Sequence, residues 1–284
     1  FFSASMWVGQ QLADGLDFWG FLGSLIVGGI ILGIYTGLLG YVGAKTGLSL
    51  DLLSQRAFGE KGSYLPSAMT SFTQIGWFGV GSFVSGGTAT PNFARFAKDG
   101  KAGAITTVVA FFIGNSLMFF FGAVSSIFVG GNDIFEVMVR LNLFYLAVLV
   151  LGLNIWTTND NALYTAGLGL ANIFHQRKKP MVLLSGIIGT VASVWLYYNF
   201  CGWLNILNCT LPPVGMILVL AYFMNKEDFE TDQPKLKTVD WFAVAGVILG
   251  AIVANLLHWG IASINGMVVA AVCYCVGQAV NKRK

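Results

Sequence analysis

The run Asn154-Ile155-Trp156-Thr157-Thr158-Asn159-Asp160-Asn161 sets six polar residues among eight at the end of an apolar stretch. Polar groups inside such a stretch are costly in lipid and usually face a cavity. Asn154, Thr157 and Thr158 fall at i, i+3 and i+4, so one helical face can present the 154 carbonyl and two hydroxyls. Three oxygens together suit a hard alkali cation such as Na⁺ if a neighbouring helix adds more. A structural reading is equally open: the threonines bond back to the preceding turn and the Asn/Asp run closes a helix. Asp160 reads as either a coupling acid or a paired interfacial carboxylate.

Gln74 and Trp77, at i and i+3 in Gln74-Ile75-Gly76-Trp77-Phe78-Gly79, pair an amide fork with an indole plane. Together they suit a flat heteroaromatic with donors and acceptors on its edge, although many membrane tryptophans are interface anchors. Ser82-Phe83-Val84-Ser85-Gly86-Gly87-Thr88 joins an aromatic and hydroxyls to a glycine pair that breaks a regular helix. Broken helices line substrate sites in secondary transporters, and glycine pairs also serve plain packing. His258 and His175 read as loop residues, and Pro212-Pro213 as a kink. The sequence holds no H-E-x-x-H, G-x-S-x-G or phosphate loop, so an intramembrane enzyme lacks its nucleophile and base.

The elements that must position these groups follow from composition. Hydrophobic residues make up 56% of the 284 and charged residues only 10%, with a mean hydropathy of +0.72, which excludes a soluble fold. Charge-free stretches at Phe18–Ala44, Gly62–Ala94, Ala102–Asn132, Leu141–Asn159, Met181–Asn225 and Trp241–Asn281 are each long enough to cross a bilayer. None alternates polar and apolar residues, so they are helices rather than barrel strands. Breaks near Cys201–Trp203 and at His258–Gly260 divide the two longest. The reading is then eight spans, about 18–44, 62–94, 102–131, 141–173, 181–200, 203–224, 239–258 and 260–281, with a partial segment at 1–12 that looks like a helix entered midway. Cys201, Cys209, Cys273 and Cys275 lack metal-ligand spacing and read as buried thiols. Gly33 and Gly37 have the small-xxx-small spacing that lets helices approach closely. A net charge of +3 gives no case for nucleic acid.

Lys and Arg in short loops mark the cytoplasmic side. Working back from Lys282, Arg283 and Lys284, the loops at 226–240, Arg177–Lys179 and Arg95–Lys101 alternate correctly as cytoplasmic, as does a cytoplasmic C-terminus. Lys45, Arg56 and Lys61 break the alternation, because only the 62–94 run separates them from Arg95. Two cytoplasmic ends require an even number of crossings, so the 62–94 run is either a re-entrant hairpin or lacks a segment near residues 81–82, the second being what the resemblance below favours, within a single transporter domain spanning 1–284.

FFSASMW, GYVGAKTGL, QIGWFGVG, GNSLMFFFGA, VLGLNIWTTNDNALY and GIIGTV resemble the bacterial cytosine permeases of the nucleobase:cation symporter family along the whole chain. The resemblance implies an all-α polytopic membrane protein of leucine-transporter type, with two inverted five-helix repeats in a twelve-helix whole. It implies a multi-pass protein of the bacterial inner membrane, a symporter rather than an enzyme, importing cytosine with a cation by alternating access. Carried over by position, it assigns Trp77 and Phe83 to the two faces of the base, Gln74 and Ser85 to its edge, and Asn159 as a further contact to the base. It assigns Na⁺ to carbonyls of Phe2 and Asn154 and hydroxyls of Thr157 and Thr158, with an oxygen of Ser5. Proton coupling, another planar base such as uracil, a purine or hydantoin, and a passive channel stay open as alternatives. The partners expected are the small base and the lipid bilayer, with no obligate protein partner.

Overall fold

The computed structural model describes residues 6, 9, 10, 15–80, 89–131, 134–231, 234, 236–257 and 259–281, with the side chains at 78–80, 155–158, 197, 200 and 201 set aside. Every regular element among them is helical: α1 Phe18–Thr46, α2 Leu50–Phe58, α3 Tyr64–Val80, α4 Pro91–Ala94, α5 Gly100–Val129, α6 Ile134–Arg140, α7 Phe144–Phe174, α8 Lys178–Tyr198, α9 Phe200–Met224, α10 Lys226–Glu230, α11 Trp241–Leu256 and α12 Ala262–Asn281. Five of the described helices are long and apolar enough to span a bilayer: α1, α5, and the segments Lys178–Leu196, Gly202–Met224 and Ala262–Asn281; α11 is apolar but shorter. Their outer faces carry exposed Ile34, Phe121, Ile187, Val191 and Val268, the surface that lipid covers. The chain is an all-α polytopic membrane protein.

Short-range chemistry sets the helix ends. The Asp17, Asp99 and Asp240 carboxylates accept the backbone N–H of Gly20 (3.0 Å), Ala102 (2.8 Å) and Ala243 (3.2 Å), starting α1, α5 and α11. Gly47 closes α1 in the left-handed region at φ 67°, its N–H reaching the Gly43 carbonyl. The sequence places a break at Cys201–Trp203; the turn falls at Asn199, so α8 and α9 nearly abut. His258 lies outside the described residues.

Three connections that read as loops carry helices: α2, α6 and the short α10. Charges at Asp51 and Arg56 hide α2, which Ser49 caps and whose apolar face joins Leu39, Ile217, Tyr222, Phe229, Val247 and Tyr274 in the main core. α6 carries the Glu136–Arg140 pair (2.6 Å). The expectation of buried thiols is corrected for Cys275: Cys209 is buried and Cys273 half-buried, but Cys275 is exposed, because residues two apart cannot share a helical face.

α1 and α5 cross at glycine. A Cβ added to Gly40 would stand 2.5 Å from the Thr107 hydroxyl and 2.9 Å from the Gly103 carbonyl, and one added to Gly103 would strike the Ala44 methyl. Close approach therefore centres one turn beyond the Gly33/Gly37 spacing, though a Gly37 Cβ would also meet Val108 at 2.7 Å. Val109–Gly114 within α5 is a π-helical stretch with no buried residue.

Candidate functional site

Gln74 and Trp77 stand on α3, which packs along α7. The two helices approach closely because small residues face one another: the Ser71 hydroxyl donates to the Ala166 carbonyl at 3.1 Å, and Gly169 leaves no room for a side chain against Ser67 and Ser71. Gln74 and Trp77 are both buried, at 7% and 1% exposure. The structure thus turns both residues inward, away from lipid. Trp77 lies in an apolar cluster with Ala162 of α7, Leu196 of α8, and Trp203, Leu207 and Leu211 of α9. Its indole meets that of Trp203 edge to face, centroids 4.2 Å apart and planes at 71°.

The polar run 154–161 sits in the middle of α7, as helix rather than helix end. Asn154 and Asn159 are half-buried, and the Asn159 Oδ1 is enclosed with no hydrogen-bond partner among the described residues. A shielded carbonyl oxygen without a donor costs roughly 1–3 kcal/mol, so it marks a place where a donor fits. Thr157 and Thr158 have regular helical backbone; their side chains, and Phe2, Ser5, Phe83 and Ser85 altogether, lie outside the described residues. Among the described residues no group of three His, Cys, Asp or Glu could hold a metal.

Asp160 is exposed and opens onto a cavity of about 520 Å³, lined also by Asn161, Tyr164, Lys178, Phe93 and Phe96. Tyr164 is clasped from two sides: Arg95 donates to its hydroxyl at 2.5 Å, and the Lys178 ammonium stands 3.5 Å over its ring.

A second polar assembly, missed from sequence, links α2, α3 and α7. The Ser67 hydroxyl donates to Asp51 at 2.6 Å; Asn172 donates to Ser63 (3.0 Å) and Ser67 (2.9 Å) and accepts from Gln55 (2.6 Å). The signal available was the stripe Ser63, Ser67, Ser71 at four-residue spacing, which marks the face of α3 turned to α7. Burial pushes the Asp51 carboxyl up to about 6, while the Ser67 hydroxyl, its own backbone N–H and the Arg95 guanidinium pull it the other way.

The sequence pattern of a family described as permease for cytosine/purines, uracil, thiamine, allantoin matches residues 1–90 and 79–280. The cytosine permease of Escherichia coli strain K12 is 36% identical over 377 residues, covering 100% of this chain and 89% of that protein; that of E. coli O157:H7 aligns with the same figures. The allantoin permease of Bacillus subtilis strain 168 is 34% identical over 82 residues, 29% of this chain and 16% of that protein. Matches over nearly the whole chain, to the family pattern and to the cytosine permeases, show that the chain belongs to the permease family for cytosine/purines, uracil, thiamine and allantoin, and it is a membrane transporter rather than an enzyme.

Proposed function

We propose that the chain imports cytosine by alternating access, drawing on Na⁺, with the leucine-transporter arrangement of inverted repeats in the bacterial inner membrane and a cytoplasmic C-terminus. The observation that carries this reading is the inward turn of Gln74 and Trp77 on α3 against α7, beside a polar mid-helix whose Asn159 Oδ1 awaits a donor. A planar base would offer a π face to the indole, acceptors and donors to the Gln74 amide, and an exocyclic amine to the Asn159 Oδ1. Phe83 and Ser85 would complete the other face and edge. The substrate follows the name of the relatives that align over the whole chain.

Na⁺ would rest on the Phe2 and Asn154 carbonyls, the Thr157 and Thr158 hydroxyls and Ser5, a neutral oxygen set of the kind hard monovalent cations take. Such a cation would tie the first segment to α7 and favour the base-competent arrangement, so base and cation each raise the other's affinity. The alignment to the E. coli protein runs over 377 residues, 93 more than the chain's 284, and the two blocks matching the family overlap at 79–90. Both support a further pair of crossings belonging near residues 81–82.

Equilibrium binding of radiolabelled cytosine to the purified chain tests the reading, with Na⁺ present or replaced by choline and with uracil and allantoin as competitors. Saturable cytosine binding that tightens with Na⁺ is expected. Binding indifferent to Na⁺ removes the cation site, and no saturable binding removes the base site. Uptake into vesicles that merely equilibrates would mark a passive facilitator.

A further inference from the structure

We propose that Trp203 is a positioning residue for the base: it holds the Trp77 indole in its stacking orientation, and Gly76 is the opening that admits it. The inference rests on the base-stacking role of Trp77 given above and deepens it.

Trp77 and Trp203 come from α3 and α9, yet they form the closest aromatic pair among the described residues. Both are almost wholly buried, at 1% and 2% exposure, within walls of Ala162, Leu196, Leu207 and Leu211. An edge-to-face pair in dry surroundings fixes ring planes, because the positive edge of one ring seeks the negative face of the other. Gly76 shows that this contact is built in. A Cβ there would land on the Trp203 ring at Cζ2, and within 2.7 Å of Cε2 and 3.0 Å of Cη2. Any side chain at 76 must therefore displace the Trp203 indole.

Trp203 is itself anchored where α8 hands over to α9. Its backbone N–H donates to the Asn199 carbonyl at 3.0 Å, and the Asn199 amide donates to the Trp195 carbonyl at 2.9 Å. The brace thus joins the indole on α3 to the start of α9. A ring held at a fixed tilt binds a flat ligand without first losing its own freedom, which is how preorganisation raises affinity.

The test measures radiolabelled cytosine isotherms on the purified full chain for Trp203→Leu, Trp203→Phe and Gly76→Ala, with Trp77→Ala alongside. The isotherm separates two effects: a purely structural role lowers the number of binding-competent molecules at unchanged Kd, whereas positioning raises Kd. Trp203→Leu and Gly76→Ala should each raise Kd about five- to tenfold, the scale of one aromatic pair, and Trp203→Phe should recover most of it. Far-ultraviolet circular dichroism should show a coupled indole signal that vanishes in Trp203→Phe and Trp77→Ala alike. Parental Kd in Trp203→Leu, whatever the number of competent molecules, overturns the proposal while leaving Trp77 intact. Should Trp203→Leu not reach the membrane, parental Kd in Gly76→Ala overturns it equally. Parental Kd in Trp77→Ala instead overturns the stacking reading, and the role of Trp203 with it.

Discussion

The Asp51 carboxylate on α2 accepts the Ser67 hydroxyl of α3 at 2.6 Å. Around that bond, Asn172 of α7 draws in Ser63 and Gln55, so one carboxylate and a set of neutral groups join three helices at one end of the bundle. The carboxylate is buried and its pKa is raised, so the folded protein holds the proton more tightly than the unfolded chain does.

Stability should therefore fall with rising pH across the window from 3.8 to about 6, between the ordinary and the folded pKa of Asp51. Below that window the group is protonated in both states; above it the penalty is complete, about 3 kcal/mol for a shift of this size. Thermal unfolding in detergent across this range checks it. Asp51→Asn keeps an acceptor for Ser67 and should flatten the slope; an unchanged slope would assign the effect elsewhere.

Asn172→Leu removes a donor to two serines and the acceptor of Gln55. The serine oxygens lose a donor and the half-buried Gln55 amide loses its acceptor, which should cost about 1–3 kcal/mol, seen as a fall of several degrees in the unfolding midpoint. Asn172→Gln, with one methylene more, should recover little, because the bonds need the shorter reach.

At the α1/α5 crossing, Gly103→Ala should destabilise by about 1–3 kcal/mol through overpacking. The added methyl meets that of Ala44, so the pair Gly103→Ala with Ala44→Gly should recover part of the loss. Additive losses in the double variant would show that the Gly40 carbonyl sets the limit.

Thr157→Ala combined with Thr158→Ala should raise the Na⁺ concentration needed for half-maximal cytosine binding at least tenfold, while binding at saturating Na⁺ persists. Two lost oxygen ligands on a hard cation warrant that direction. Equal Na⁺ dependence in parent and variant would place the cation elsewhere.

Much of the membrane scaffold was legible because spanning helices announce themselves by long charge-free runs: α1, α9 and α12 begin and end within a few residues of the spans read for them. α2 was not, because a nine-residue amphipathic helix with three charged or amide side chains looks like a loop until its apolar face finds α9 and α11. For the site, the spacing of Gln74 and Trp77 put both on one face of α3, where the structure buries both, and the polar run of α7, read at the end of an apolar stretch, lies mid-helix. The Trp77–Trp203 contact was illegible: nothing local in α9 distinguishes that tryptophan from an interface anchor, and only the tertiary approach of α3 reveals why position 76 is glycine.

The π-helical stretch Val109–Gly114 makes α5 a helix with one residue to spare. Downstream, Gly122 is pressed against the Met6 backbone so closely that no Cβ would fit. Deleting a single residue between 109 and 114 would restore ordinary α geometry and leave the downstream phase in place, whereas winding the stretch into α geometry with every residue kept would swing everything after it by about 100°, one residue's turn. Gly122 would leave Met6, and a bulkier neighbour would take its place. The surplus residue thus acts as a phase setting, matching a lower half that fits α1 to an upper half that fits the first segment of the chain.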